Sequence, residues 1–228
     1  LPANGLGGQV YALAMSDGAL YVGGRFDQTG DGSTTDLGNI ARYDGAWRGL
    51  SNGGVIDDSL FNGKPWGVVR ALAADGDSLY VGGGFAHTVD GVVADLNMIA
   101  RYDTASHRWQ ALASEGLNDQ VFALAFDDGE LYVGGALTQT GDDTLTDLGR
   151  IVRYTPDTNS WHAMPNQGLA VGGAGQCRVA TIVAVEGDLY VGGGFDSAGD
   201  GSVVGMGGIA RFGPRSGGSL YLPIAGGV

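Results

Sequence analysis

The sequence predicts an all-β fold, a four-bladed β-propeller with four short strands in each blade. Three observations predict it. The pentapeptide Leu20-Tyr21-Val22-Gly23-Gly24 returns as Leu79 to Gly83, Leu131 to Gly135 and Leu189 to Gly193. The repeats are long: Val10 to Val69 is 59 residues, Val69 to Val121 is 52 and Val121 to Val179 is 58. Units of 50 to 60 residues holding four strands each are the signature of propeller blades. Finally, Asp-Gly pairs punctuate the apolar runs, as at Asp17-Gly18, Asp31-Gly32, Asp90-Gly91 and Asp128-Gly129. Glycine accepts positive φ without steric cost, so such pairs mark hairpins.

Each blade opens on an apolar strand: Val10 to Ala14, Val69 to Ala73, Val121 to Ala125, Val179 to Val183. The Leu-Tyr-Val-Gly-Gly strand follows. These runs are apolar rather than alternating, which suits strands covered on both faces. A long loop comes next, of constant length: Phe26 to Ile40, Phe85 to Ile99, Leu137 to Ile151 and Phe195 to Ile209 are each 14 apart. The third strand is Ile40-Ala41-Arg42-Tyr43 and its counterparts at Ile99, Ile151 and Ile209. Three repeats then supply a fourth strand opening on Trp47, Trp109 or Trp161. The blades are expected at about 9–50, 68–112, 120–164 and 178–223, with terminal segments 1–8 and 224–228, all within one domain.

Composition narrows the function classes. With 12 Lys and Arg against 25 Asp and Glu, the net charge is −13. That disfavours nucleic acid, which needs cationic groups to displace counterions, and anionic membrane surfaces. No apolar stretch reaches the 18 or more residues of a membrane span. The single cysteine, Cys177, cannot form an internal disulfide and reads as a packed, inert thiol. The chain begins at Leu1 without Met. It is either an excerpt or the product of leader removal, and the second reading places it outside the cell.

At repeat level the chain resembles the kelch-type propellers. Their unit has an apolar strand ending in Gly-Gly, then a Tyr, then a Trp about seven residues on; Tyr102 to Trp109 and Tyr154 to Trp161 keep that spacing. Tyr43 to Trp47 is only four, and the fourth repeat has Phe212 with no Trp after it. The resemblance implies the fold and is nearly silent on function. The tail Ser219-Leu220-Tyr221-Leu222-Pro223-Ile224 is similar to the Tyr-Leu-Pro ending of secreted proteins of Chloroflexi-type bacteria. This implies an extracellular or cell-surface home.

Candidate chemistry is sparse. Arg42, Arg101, Arg153 and Arg211 recur on the third strand, and Asp36, Asp95 and Asp147 lie six residues before the first three. Two readings compete: guanidinium groups around a channel, holding an anion, or a repeated Arg–Asp pair pinning each long loop. The loop residues Asp27, Asp31 and Asp36 have the oxygen atoms for a calcium ion. They lack EF-hand spacing, so an Asp-Gly turn is the competing account. His87, His107 and His162 have no transition-metal spacing. No nucleophile elbow or phosphate-binding loop occurs. Trp66, in an irregular connector, is the candidate to stack on a ligand such as a surface glycan, or to cover the core.

The expectation is a non-catalytic extracellular structural protein that associates with itself. Leu222-Pro223 matches Leu1-Pro2, an offset of 221, which makes the fourth period 52. Both ends then claim one connector position. Leu220, Tyr221, Leu222, Pro223 and Ile224 are the candidate assembly residues, giving a filament or layer. The alternatives are a secreted glycan- or ligand-binding module and a hydrolase or lyase with a channel site.

Overall fold

The computed structural model describes residues 1–61, 64–172, 177–185, 187–213 and 220–221. Its architecture is all-β, and every pairing among the described strands is antiparallel. Two compact units divide the chain, Leu1–Val121 and Phe122–Val228.

The first unit holds two four-stranded sheets. The first runs Gln9–Ser16, Ala19–Arg25, Ile40–Tyr43, Trp47–Gly49 in spatial and sequence order. The second runs Val68–Asp75, Ser78–Gly84, Ile99–Asp103, Arg108–Ala111. The connector between them forms two further strands, Val55–Phe61 and Lys64–Trp66, with Val55 and Ile56 pairing Thr88 and His87 of the long loop. The second unit repeats the plan. Its first sheet is Val121–Asp127, Glu130–Gly135, Ile151–Thr155, Ser160–Ala163, the first strand starting one residue before the unit. Its second sheet is Arg178–Val185, Asp188–Gly194, Ile209–Phe212, Leu220–Tyr221.

The glycine pair explains how the sheets stack. A Cβ on Gly23 would meet Val69 Cγ1 of the next sheet at 2.3 Å, and one on Gly134 would meet Val179 Cγ1 at 2.3 Å. The first glycine is thus a socket for a neighbouring valine. The second serves its own sheet. On Gly24, Gly83 or Gly193 a Cβ would lie 2.0 to 2.2 Å from the carbonyl oxygen of Gln9, Val68 or Arg178. There the first strand is bulged, with register shifts between Val10 and Ala12, Val69 and Ala71, and Val179 and Thr181.

Cores form between successive sheets. Tyr21 and Ile40 of the first sheet are buried together with Val69, Leu79, Val81, Ala100 and Tyr102 of the second. Tyr132 and Ile151 are buried with Val179, Ile182, Val191 and Ala210 in the same way. Within each unit, then, the trailing face of the first sheet covers the leading face of the second.

Candidate functional site

The long loops carry a recurring threonine–aspartate turn. Thr29 Oγ1 donates to Asp31 Oδ1 (2.9 Å), which also accepts from Ser33 N (2.9 Å), while Thr34 N donates back to Thr29 Oγ1 (3.1 Å). Thr88–Asp90 and Thr140–Asp142 build the same turn. In the fourth loop Ala198 replaces the threonine, and Asp200 keeps the bonds from Ser202 N and Oγ. These carboxylates substitute for a backbone turn. The hydrogen bonds from Ser33 hold the Asp31 carboxyl below the usual carboxylate range; Asn52 and Val92 do so for Asp90, and Ser202 for Asp200.

The calcium candidates do not converge. Asp27 Oδ1 accepts from Gly38 N (3.2 Å), Asp31 is committed to its turn, and Asp36 Oδ2 accepts from the Thr35 hydroxyl (2.9 Å). Among the described residues no group of three or more His, Cys, Asp or Glu is placed to hold a metal.

The expected Arg–Asp pairing is corrected. Arg42 pairs with Asp44 (2.9 Å), Arg101 with Asp103 (3.8 Å), Arg153 with Glu130 (3.9 Å) and Arg211 with Asp188 (2.6 Å). These guanidinium groups sit opposite Tyr21, Tyr80, Tyr132 and Tyr190 inside the sheets. Asp36, Asp95 and Asp147 recur for a different reason. Their φ values are 59°, 55° and 57°, in the left-handed region, where Asp is tolerated and Gly favoured. Gly205, their counterpart in the fourth repeat, has φ 77°.

The aromatic pairs are also structural. Tyr43–Trp47, Tyr102–Trp109 and Tyr154–Trp161 have ring centroids 5.0, 4.9 and 4.8 Å apart. Trp47 Nε1 donates to Pro2 O (3.2 Å) and Trp109 Nε1 to Ser51 O (2.9 Å). Trp66 packs over Gly84 and carries the Arg25 guanidinium 5.7 Å above its ring; its buried Nε1 has no partner among the described residues. Cys177 lines a cavity of about 270 Å³ with Thr138, Arg150 and Leu169. Burial pushes its thiol up, Arg150 opposing the effect, so it is a poor nucleophile. His87 pairs with Asp58 (3.1 Å) beside a cavity of about 360 Å³. A hydrogen bond with the Thr88 carbonyl, and then Asp58, raise its pKa.

The chain ends are placed in part. Leu220 and Tyr221 pair with Phe212 and Arg211 as the fourth strand of the last sheet. Leu222, Pro223 and Ile224 lie outside the described residues. At the other end, Leu6 bridges to Thr29, Gly30 N donates to Gly5 O (3.0 Å) and Asp31 N to Ala3 O (3.1 Å). Residues 2–6 thereby lie on the first sheet as Ser51–Val55 lie on the second, where Val89 N meets Gly54 O and Asp90 N meets Asn52 O.

Sequence reasoning missed two apolar surfaces. Val10, Leu13 and Met15, on the leading face of the first sheet, are 46, 62 and 62 % exposed. On the trailing face of the last sheet Val183, Val185, Tyr190 and Ile209 are exposed as well. Aligning each with its interior counterpart was the signal available.

The chain matches no protein-family model. It is 32 % identical over 90 residues to Polarized growth protein L1 of Phoma sp., covering 40 % of this chain and 6 % of that one. Over 175 residues it is 27 % identical to Polarized growth protein rax2 of Schizosaccharomyces pombe, covering 72 % of this chain and 14 % of that one. Among solved structures, the extracellular domain of a putative one component system from B. thetaiotaomicron superposes with a TM-score of 0.52 at 18 % identity, over 93 % of this chain and 22 % of that one. A computationally designed protein superposes at 0.51 and 15 % identity, over 93 % and 95 %. The chain thus shares its fold with these structures, and is distantly similar to polarized growth proteins of which it spans a small part.

Proposed function

We propose that this chain is a non-catalytic, extracellular or cell-surface structural module, a propeller of four kelch-like blades that associates with itself. One observation carries the reading: the polar devices that recur with the fold are consumed by the fold. The loop Asp residues bond their own loops, the third-strand Arg residues pair within their own sheets, and the indoles of Trp47 and Trp109 hold connectors. The distant similarity to two polarized growth proteins is consistent with a structural role. Self-association is supported by the ends of the chain. Residues 2–6 already occupy the connector position on the first sheet. Leu220 to Ile224, the assembly residues expected from the sequence, would add to a neighbour, and head-to-tail addition that does not close gives a filament or layer. Electron microscopy and light scattering of the purified protein test this. Polymers or discrete oligomers are expected; a monodisperse monomer at high concentration overturns it.

A second reading, binding of a glycan or other ligand at Trp66, is favoured by the partnerless indole N–H beneath the Arg25 guanidinium. Glycan-array binding lost in Trp66→Ala would support it, and an array without binding would remove it.

A further inference from the structure

One position in the long loops becomes titratable in a single repeat. Two residues past Phe26, Leu137 and Phe195 stand Gln28, Gln139 and Ser197, and none of these titrates; two past Phe85 stands His87. The position lies where the connector of the first unit meets the long loop of its second sheet. Val55 pairs with Thr88 and Ile56 with His87, and Ala86 N donates to Ile56 O (2.9 Å). Beyond Ile56 the described partner of strand Val55–Phe61 is Lys64–Trp66, the other strand of the same connector.

Both ring nitrogens of His87 face oxygen. Nδ1 lies 2.8 Å from the Thr88 carbonyl and Nε2 lies 3.1 Å from Asp58 Oδ1. A carbonyl and a carboxylate both accept and cannot donate. A neutral imidazole has one N–H, so it satisfies one of these oxygens and turns a nitrogen lone pair on the other. The imidazolium satisfies both. The surrounding charges favour the same state. Asp57, whose Oδ1 accepts from Ser59 N (2.6 Å), lies beside Asp58 on the connector strand. From the loop, Asp95 lines the same cavity of about 360 Å³, and Asp90 is bonded by the Thr88 hydroxyl and the Asn52 amide. The Thr88 carbonyl first, opposed by burial, and then Asp58 and Asp57 hold the pKa of His87 above its ordinary 6.5.

We propose that His87 is a pH-operated clasp: protonated, it holds the connector strand Val55–Phe61 on the long loop of the second sheet, and on losing a proton it gives up one of its two bonds and loosens that contact. The hold is fully present below the unfolded pKa of about 6.5 and is lost as pH rises through the higher folded value. The Asp58 side chain is 91 % exposed, so the clasp biases the connector rather than locking it, and salt weakens it. Asp57 pairs with Trp66, so the clasp sits one residue from the strand pair that carries this indole.

Amide exchange and histidine NMR on the intact chain test this. The Ala86 amide reports the contact, because it bonds Ile56; the Met98 amide, bonded to Phe85 O (2.8 Å) in the same loop, is the control. We expect Ala86 protection, corrected for the intrinsic exchange rate, to fall about two- to fivefold between about pH 5.5 and about pH 8.5, while Met98 protection stays level. His87→Gln places there the glutamine of the first and third repeats, and its Ala86 profile should be flat. In Asp58→Asn the His87 ring signal should titrate nearer the ordinary value, and the Ala86 step should shrink. If His87→Gln does not fold, Asp58→Asn decides. A flat Ala86 profile in the unaltered chain overturns the clasp. So does a step that survives in His87→Gln, an equal step at Met98, or a His87 titration that Asp58→Asn leaves unmoved.

Discussion

Gly23 and Val69 are locked together as socket and plug: the valine Cγ1 stands 2.3 Å from where a methyl group on the glycine would be. A methyl group there cannot be accommodated without moving one sheet off the other. Gly134 and Val179 stand in the same relation.

Gly23→Ala and Gly134→Ala should therefore each destabilise by about 1–3 kcal/mol, the usual cost of overpacking. Pairing Gly23→Ala with Val69→Ala should recover part of that loss. Urea denaturation of the single and double variants checks both statements; a single variant within about 0.5 kcal/mol of the parent would show that the sheets slide freely.

Trp109 combines packing on Tyr102 with a hydrogen bond to the Ser51 carbonyl (2.9 Å). Trp109→Phe keeps most of the ring and loses the bond, at an expected cost of about 1 kcal/mol. Trp109→Ala should cost about 3–5 kcal/mol. Equal losses in the two variants would mean the connector bond dominates.

Asp95 sits at φ 55°, and its fourth-repeat counterpart is a glycine. Asp95→Gly should leave stability within about 0.5 kcal/mol of the parent, whereas Asp95→Val should lose about 1–2 kcal/mol, the cost of a β-branched residue in the left-handed region. The discriminating result is Asp95→Gly: a large loss would restore a role for the carboxylate.

The turn carboxylates of Asp31, Asp90 and Asp200 have folded pKa values below the ordinary range. Their stabilisation is fully present above the unfolded pKa of about 3.9 and is lost as pH falls through the lower folded values. Melting temperature should drop across that acid window, and the triple Asp→Asn variant should show a shallower drop. A variant as acid-sensitive as the parent would assign the sensitivity to other groups.

Calcium is not expected to matter, because Asp27 and Asp36 each bond a neighbouring donor and Asp31 closes its own turn. Adding a chelator should leave the melting temperature unchanged. A fall of more than about 10 °C would mean that these loops reorganise around the ion.

Much of the architecture was legible because local chemistry and tertiary packing ask for the same residues. Gly23-Gly24 reads as a repeat marker and is also the socket and the bulge partner. The short strand at Leu220 and Tyr221 falls inside the last repeat expected at 178–223. The partners of the third-strand Arg residues were not. Two pair with an acid two residues on, Asp44 and Asp103, and two with an acid on the preceding strand, Glu130 and Asp188, so no single spacing encodes them. Asp36 misled because a recurrent carboxylate looks like a charge partner when the cause is backbone conformation; Gly205 was the clue. The strands at Val55–Phe61 and Lys64–Trp66 were read as irregular connector because they pair with each other and, through Val55 and Ile56, with only a two-residue piece of loop, His87–Thr88.

In the first unit, each fourth-strand indole is tethered by chain that precedes its own sheet: Trp47 by Pro2, and Trp109 by Ser51. This defines where such a chain can be lengthened or shortened during evolution. A duplication that copies only a four-stranded sheet strands its tryptophan, and one that copies a sheet with its upstream connector carries the tether along. The module expected to be inherited whole is the second kind, with breakpoints just after the fourth strand, near Leu50 and Leu112. Gene histories of similar arrays should show gains and losses of sheets falling at those seams.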